Sequence, residues 1–543
     1  MAGRAGTYTK APLITILQSE LKREFEFLKT KADPAAYFLA YEVTDETTDS
    51  VSASLGALVE NVHGHQRGVD TTVRVGSPKF DNYHPYQGTQ FRFTTFTPLS
   101  LDDDENQIRR TLWAETDQVY RGASRRFLQL KTNNELLAQQ AHQDPDFSSE
   151  EPASYAQLPP SYSTDLGTWA QKLRTWSALF KGHEKILGSG VSFRVQREIW
   201  TFVNSAGTAV ERGSNLFRLE IQGAGVAPDG MELSDFATIE ASDPAHLPPD
   251  AAVQKKVQAL AEQVDSLIHA PPAEPIVCPA ILSGRASAVF FHEIFGHRVE
   301  GHRQKDIGEG QTFTNMLNQQ VLPDFVSVEF DPTRKEFNDT DLIGSYEFDD
   351  EGVKARPVKL VENGTLKTFL LSRSPVGAFL HSNGHGRRQP GFEVVSRQSN
   401  LLVESSKQVS DKELRERLVA EIKQQAKPYG LYFEEVSSGY TRTGRQGLQA
   451  FTVVPLVVYR VFADGRPDEL IRGVDIVGTP LASFAKILAT SDRAEVFNGY
   501  CGAESGSIPV SAVSPAILVS EIETQKKPNS QMQLPILPRP EVE

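Results

Sequence analysis

Two imidazoles and a carboxylate lie inside an apolar run at Phe290-Phe291-His292-Glu293-Ile294-Phe295-Gly296-His297. Ionisable groups are costly to bury unless something pairs with them, and a divalent cation held by neutral imidazoles is one such partner. A Glu beside the first imidazole stands where a hydrolytic metalloenzyme keeps the base that deprotonates metal-bound water. The chemistry on offer is therefore metal-assisted hydrolysis, with His292 and His297 as ligands and Glu293 as base. The plain alternative is two hydrogen-bonded histidines at a helix end.

Spacing constrains the backbone that could do this. Ser283 is a fitting N-cap, and Ala288, Val289, Phe290, Phe291, Ile294 and Phe295 read as a buried helix. In a regular helix, residues four apart point about 40° from each other, whereas residues five apart diverge by about 140°. A regular helix cannot turn both histidines onto one ion. A π-bulge, or a helix that ends at Gly296, could, so the spacing predicts a local distortion between Glu293 and His297.

A hydrolytic zinc site takes three protein ligands and leaves one position for water. His302, Cys501 and a carboxylate such as Glu300 are the candidates for the third. His302 is nearest in sequence. Cys501 lies in Asn498-Gly499-Tyr500-Cys501-Gly502, where flanking glycines permit close approach and a thiolate would neutralise part of the ion's charge. A buried cysteine acting as a small apolar residue is the competing reading.

The elements that must position these groups are mixed. Ile14, Leu17, Leu21, Phe25 and Leu28 keep helical spacing, residues 36–75 alternate like strands, and Asp104 to Gln140 reads as helical. A Pro- and Ser-rich stretch at about 142–167 is expected to be a mobile loop. A helix at Thr168 to Leu187, strands over 191–224 and a helix at 251–269 follow, and Pro271 to Pro275 marks a domain boundary. Beyond it the chain turns to strands: Val326–Phe330, Val358–Leu360, Thr365–Leu371, Leu401–Val403, Leu456–Val461 and Ala516–Glu521, interrupted by a helix at Asp411 to Gln425. The expected fold is α+β in two domains: an N-terminal mixed domain over 1–270 and a β-rich C-terminal domain over 276–524 that carries the metal-binding helix. Residues 525–543, rich in proline, read as a tail.

Composition narrows the function classes. The chain of 543 residues is 39% hydrophobic and 23% charged, with 56 Lys and Arg against 70 Asp and Glu, a net charge of −14. That balance disfavours nonspecific binding to nucleic acid or an anionic membrane. No stretch reaches the apolar length of a membrane span, and Met1 to Lys10 lacks a signal-peptide core, so a soluble cytoplasmic protein is expected. Two cysteines, Cys278 and Cys501, make no disulfide framework.

Other polar clusters read as structural or solvated. Arg387 and Arg388 could clamp a substrate carboxylate, but arginines in a Gly-rich loop are expected to be structural or solvated. Asp349-Asp350-Glu351 reads as a solvated turn, lacking the alternating ligands of a calcium loop. The pairs His63/His65 and His381/His385 read as solvated histidines, with no carboxylate or thiol placed to complete a site.

The motif His292-Glu293-x-x-x-His297, followed by Glu300-Gly301, resembles that of the TldD/PmbA family, peptidases once called modulators of DNA gyrase. The similarity continues in order through Asp349 to Gly352, Val361 to Leu366, Ser382 to Arg388, Ser396 to Asn400, and Cys501-Gly502 ahead of Ile508-Pro509-Val510. The resemblance implies a TldD-like catalytic subunit: a metallopeptidase in which His292, His297 and Cys501 bind one zinc ion per chain and Glu293 is the general base. It also implies unfolded or short peptides bound in extended form, and a dimer with a second copy or with a related TldE/PmbA-like subunit. Ser396 departs from the family's usual proline, and His302 stands where an acidic residue is common. Two rival classes are a noncatalytic assembly or scaffold subunit, and a zinc amidase acting on a non-peptide substrate with the same water chemistry.

Overall fold

The structure is a computed structural model that describes residues 12–85, 94–136, 144–306, 308–444, 451–527, 537 and 540. Helices and strands are mixed, with strands the more numerous, and they form two large sheets.

The first sheet has eight strands. Its centre is two long antiparallel hairpins, Ala36–Ser54 with Ala57–Ser77 and Ile186–Asn204 with Ala209–Val226, joined side by side through Ala36–Ser54 and Ile186–Asn204. Alternation along these strands divides the side chains between two faces. Leu39, Tyr41, Val43 and Val51 point to one face. There Leu17, Ile108 and Leu112, from helices Leu13–Thr30 and Glu105–Leu136, cover one end. Trp176, Val257 and Val264, from helices Leu166–Ser177 and Asp250–His269, cover the other. Phe38 and Ala40 point the opposite way and, with Trp200 and Phe202, meet Phe348 from the later part of the chain. One sheet thus builds its own core on one side and a docking face on the other.

The second sheet has twelve strands. The long strand Gly506–Lys526 pairs with Val474–Gly478, and that strand with Phe451–Val461. Gly430–Thr441 and Val277–Leu282 follow, and Val277–Leu282 pairs back onto Gly506–Lys526. Pairing therefore closes on itself, which removes most open edges there. The helix Gly284–Ile294 follows Val277–Leu282 and packs on Gly506–Lys526, Gly430–Thr441 and Ile487–Ala503. Phe290 and Phe291 stack edge-on at 5.9 Å, and Phe290 lies 5.9 Å from Phe451 and 5.7 Å from Phe484. This packing fixes the motif helix in a rigid core.

Charged contacts hold the two sheets together. Arg388 donates to Glu42 Oε2 at 2.6 Å, Arg212 to Asp350 Oδ1 at 2.7 Å, and Arg472 to both Asp229 oxygens at 3.0 Å. Arg387 and Arg388 are buried and structural.

Several expectations differ from the structure. The helix expected to reach Leu187 ends at Ser177, passes through a 3-10 turn at Ala178–Gly182, and gives way to a strand at Ile186. Of Thr365–Leu371, only Thr365–Leu366 is strand. The last strand runs to Lys526, because Thr524, Gln525 and Lys526 pair with Val474 to Ile476, so the expected tail begins later than residue 525. The described part of the stretch at 142–167 is anchored. Ser154–Gln157 adds a parallel strand beside Ala209–Val226, and Arg373 Nη2 donates to the buried Ser148 carbonyl at 2.7 Å. Residues 142 and 143 lie outside the described residues. Asp349 is buried rather than solvated, accepting from Val353 N and Gly386 N. His63 and His65 do have carboxylates across the hairpin, Asp49 at 2.7 Å and Asp45 at 2.8 Å.

His385 is fully buried, with Ser399 Oγ 3.1 Å from Nε2. Burial pushes its pKa down to about 3 from an ordinary 6.5, so the imidazole is neutral in the fold. A depressed folded pKa gives stability that is present above 6.5 and is lost as pH falls toward about 3. That loss is on the order of a few kcal/mol. His385→Gln should flatten this dependence. Urea midpoints at about pH 7 and about pH 4.5 for both proteins measure it.

Candidate metal centre

The motif helix opens with Ser283, whose hydroxyl accepts from Ala286 N at 3.1 Å, and it ends at Ile294. Phe295 has φ −102 and ψ −55, after which Gly296–Val299 form a 3-10 turn. The distortion expected between Glu293 and His297 is this change of helix type. Two buried side chains hold it by taking carbonyls that a helix end leaves unpaired. Arg298 Nη1 donates to Glu293 O at 3.3 Å and Ile294 O at 3.1 Å, and Gln398 Nε2 donates to His292 O at 3.3 Å. At Gly296 a Cβ would lie 1.9 Å from Gln398 Oε1, so a larger residue would displace the side chain that holds the His292 carbonyl. With the axis broken, the His292 and His297 rings stand 5.1 Å apart at 79°.

Cys501 arrives from the strand Ile487–Ala503, paired opposite Ile508 near the tip of the hairpin that runs on into Gly506–Lys526. Its Sγ is 3.4 Å from His297 Nε2, and donor atoms of His292, His297 and Cys501 all lie within 4.8 Å of one another. Tetrahedral zinc with ordinary Zn–N and Zn–S lengths separates such donors by about 3.3 to 3.6 Å. The set fits that ion in number and chemistry, and the 3.4 Å between Cys501 Sγ and His297 Nε2 matches that spacing. Glu293 Oε2 lies beside it, 4.0 Å from His297 Nε2.

Burial and neighbouring charges set the protonation of this group. Burial alone would raise the Cys501 thiol, but His297 and His292 outweigh it and hold the thiol well below its usual range. Burial alone would lower His297, but the thiolate and Glu300 outweigh it and raise the imidazole well above. The two shifts together favour a thiolate at Cys501 facing a protonated His297. Burial likewise opposes ionisation of Glu300, yet His297, Arg303 and Arg397 hold it at about 2.

The other candidate ligands lie outside the trio. His302 pairs through Nε2 with Glu504, and Glu300 accepts from His297 Nδ1 at 3.2 Å. Glu300, His302 and Glu504 form a second cluster of metal-ligand type, but Arg303 donates to Glu300 at 2.8 Å and to Glu504 at 2.8 Å. A guanidinium already in place makes this an ion-pair network rather than a cation site. Arg298, Arg397 and Gln398 were not singled out by spacing or composition. Their one sequence signal was their place in or beside the family-like runs.

The centre opens on a cleft of about 470 Å³ lined by Arg218 and Phe236 from the first sheet, by Glu293 from the motif helix, and by Tyr440, Phe497 and Tyr500 from the second sheet. Gly439 borders it closely, since a Cβ there would lie 2.5 Å from Glu293 Cγ. Gly439→Ala should push the carboxylate aside by about 1 Å and cost about 100-fold in any hydrolysis at this centre, with metal content unchanged. Parallel metal and rate assays of the variant check this.

Residues 275–526 match the PmbA/TldA metallopeptidase C-terminal domain. Among relatives, a metalloprotease of Methanocaldococcus jannaschii is 27% identical over 245 residues, 45% of this chain and 50% of that protein. A metalloprotease of Archaeoglobus fulgidus is 28% identical, over 49% of this chain and 57% of that protein. A zinc metalloprotease TldD homolog of Saccharolobus solfataricus is 24% identical, over 45% and 51%. The chain spans about half the length of these curated relatives. Two solved structures share the fold: TldE of Thermococcus kodakarensis, with TM-score 0.61, 14% identity and coverage of 94% and 100%, and a Thermotoga maritima protein described as a modulator of a DNA gyrase, with TM-score 0.62, 14% identity and coverage of 93% and 99%. The matched region contains both the broken helix and the Cys501 hairpin, and with relatives named as TldD homologs it supports placing this chain with the TldD/PmbA family.

Proposed function

We propose that this chain is a zinc-dependent peptidase in which His292, His297 and Cys501 hold one zinc ion and Glu293 is the general base. The observation that carries the reading is the convergence of two imidazoles and a thiol, with the Glu293 carboxylate beside them, at the floor of the cleft. Zinc, when bound, supplies a Lewis acid that lowers the pKa of water toward neutrality and polarises a carbonyl. Glu293 takes the proton of the attacking water and passes it to the leaving amine. Gly439 leaves it room to do so, and Phe290 and Phe291 fix the helix from which it projects.

Two strand edges flank the cleft. Gly430–Thr441 pairs with Val277–Leu282 only over Leu431 to Phe433, and Ile487–Ala503 pairs on its outer side with Gln408–Val409 only at Thr490 and Ser491. Among the described residues, Ser437 to Thr441 and Asn498 to Ala503, apart from the Cys501 carbonyl that Arg397 holds, therefore offer backbone groups beside the cleft. An extended peptide can bind there by main-chain hydrogen bonds, with little demand on side-chain sequence. Unfolded or short peptides are the substrate class this favours. A related subunit or a second copy is the proposed partner, in keeping with the fold shared with TldE. No helix of the described residues is long and apolar enough to cross a membrane.

Metal content by elemental analysis after purification without chelator, paired with digestion of a mixed pool of unfolded peptides, tests the reading. About one zinc per chain and new peptide termini are expected. Metal-bound protein that leaves peptides intact but cleaves simple amides would make it an amidase, and metal-free, inactive protein would make it an assembly subunit.

A further inference from the structure

Behind the three ligands lies a buried pair that the hydrolytic reading does not use. Glu300, on the 3-10 turn's far side, and Arg397, in the run before Asn400–Ser405, are both 0% exposed. Glu300 accepts from His297 Nδ1 through Oε2 at 3.2 Å, leaving Nε2 as the nitrogen that faces Cys501. Arg397 Nη2 donates to the Cys501 carbonyl at 2.6 Å and to Cys501 Sγ at 3.2 Å. Its Nη1 donates to Ser505 Oγ at 2.7 Å and Gly506 O at 3.1 Å, gripping the far side of the same hairpin turn. Arg397 Nε and Glu300 Oε1, each without a hydrogen bond of its own, face each other at 3.5 Å.

We propose that Glu300 and Arg397 are positioning residues that act as one unit, Glu300 setting the tautomer and direction of His297 and Arg397 holding the Cys501 thiolate in place. This rests on the metal-site reading above. The physical case is that His297 and Cys501 are 204 residues apart and come from elements with no backbone link, a turn and a hairpin tip. Their separation is otherwise set only by packing. A buried ion pair is no better for stability than well-packed apolar residues of the same size, so its use here is directional. Carboxylate to imidazole and guanidinium to thiolate are the two hydrogen bonds that orient a ligand without competing for the metal. Lysine could not replace Arg397, because one ammonium cannot hold the Cys501 carbonyl, the thiolate and the Ser505 side of the turn together.

Cobalt(II) titration followed by absorbance reads this out, since a cysteine thiolate bound to cobalt gives a charge-transfer band and tetrahedral cobalt gives visible bands. Wild type, Glu300→Gln, Arg397→Lys and the double variant are compared, each checked for folding by circular dichroism. Arg397→Lys should move the thiolate band and weaken cobalt binding about 10- to 100-fold. Glu300→Gln should weaken binding similarly and alter the visible bands, and the double variant should lose less than the product of the two. If Arg397→Lys does not fold, Glu300→Gln, which keeps the shape of the side chain, carries the test. Folded variants with wild-type affinity and bands would overturn the positioning role alone. Wild-type protein that gives no thiolate band would overturn the metal reading and this inference with it.

Discussion

Glu293→Gln is expected to keep the metal and to lose the proposed peptide hydrolysis. The residue is 8% exposed, its carboxylate lies next to the donor trio rather than within it, and the carbonyls at the helix end are held by Arg298 and Gln398 whatever the side chain at 293. Glutamine has the same shape and fits the same space against Gly439, so the helix, His292 and His297 should not move. What it lacks is a lone pair basic enough to take a proton from water. A general base contributes about 10²- to 10⁴-fold, and the loss in kcat/KM should fall in that range. Elemental analysis and turnover of a quenched-fluorescence peptide on the same preparation decide it. Undiminished turnover would move the base to another group.

Cys501→Ala has the larger effect on the metal itself. Only two imidazoles would remain of the trio, and the zinc content of the purified protein should fall to background together with activity. The fold should survive, because the side chain removed is small and Arg397 keeps its bonds to the Cys501 carbonyl, Ser505 and Gly506. His297 would lose the thiolate that holds its pKa up, and the raised value should relax downward. Circular dichroism, metal content and turnover together separate loss of ligand from loss of structure. Full zinc occupancy in this variant would pass the third-ligand role to another donor.

The two variants test different links of one chain of cause. Glu293 is on the helix, and its position depends on local capping, on the break at Gly296 and on Gly439. Cys501 is on a hairpin, and its position depends on the register between Ile487–Ala503 and Gly506–Lys526. A register slip of one residue would turn its side chain to the other face.

Local chemistry was readable in the sequence because it is encoded within a few residues. Ser283 caps the helix that its position announces, the apolar run around His292 and Glu293 predicts burial, and five-residue spacing next to Gly296 predicts a break in the helix, which Phe295 and the 3-10 turn supply. The mixed α/β character was readable from periodicity in the same way. Strands Gly430–Thr441 and Ile487–Ala503 went unread, since Ser, Gly, Thr and Asn interrupt their apolar pattern exactly where they line the cleft. Choosing among His302, Glu300 and Cys501 was beyond any local rule, and only the resemblance favoured Cys501. Tertiary structure closes the second sheet and brings the Cys501 hairpin onto the broken helix, while Glu504 and Arg303 take His302 and Glu300 into an ion-pair network. Spacing along a chain sets which way neighbouring side chains point, whereas contacts between residues 204 apart are set by packing and strand register.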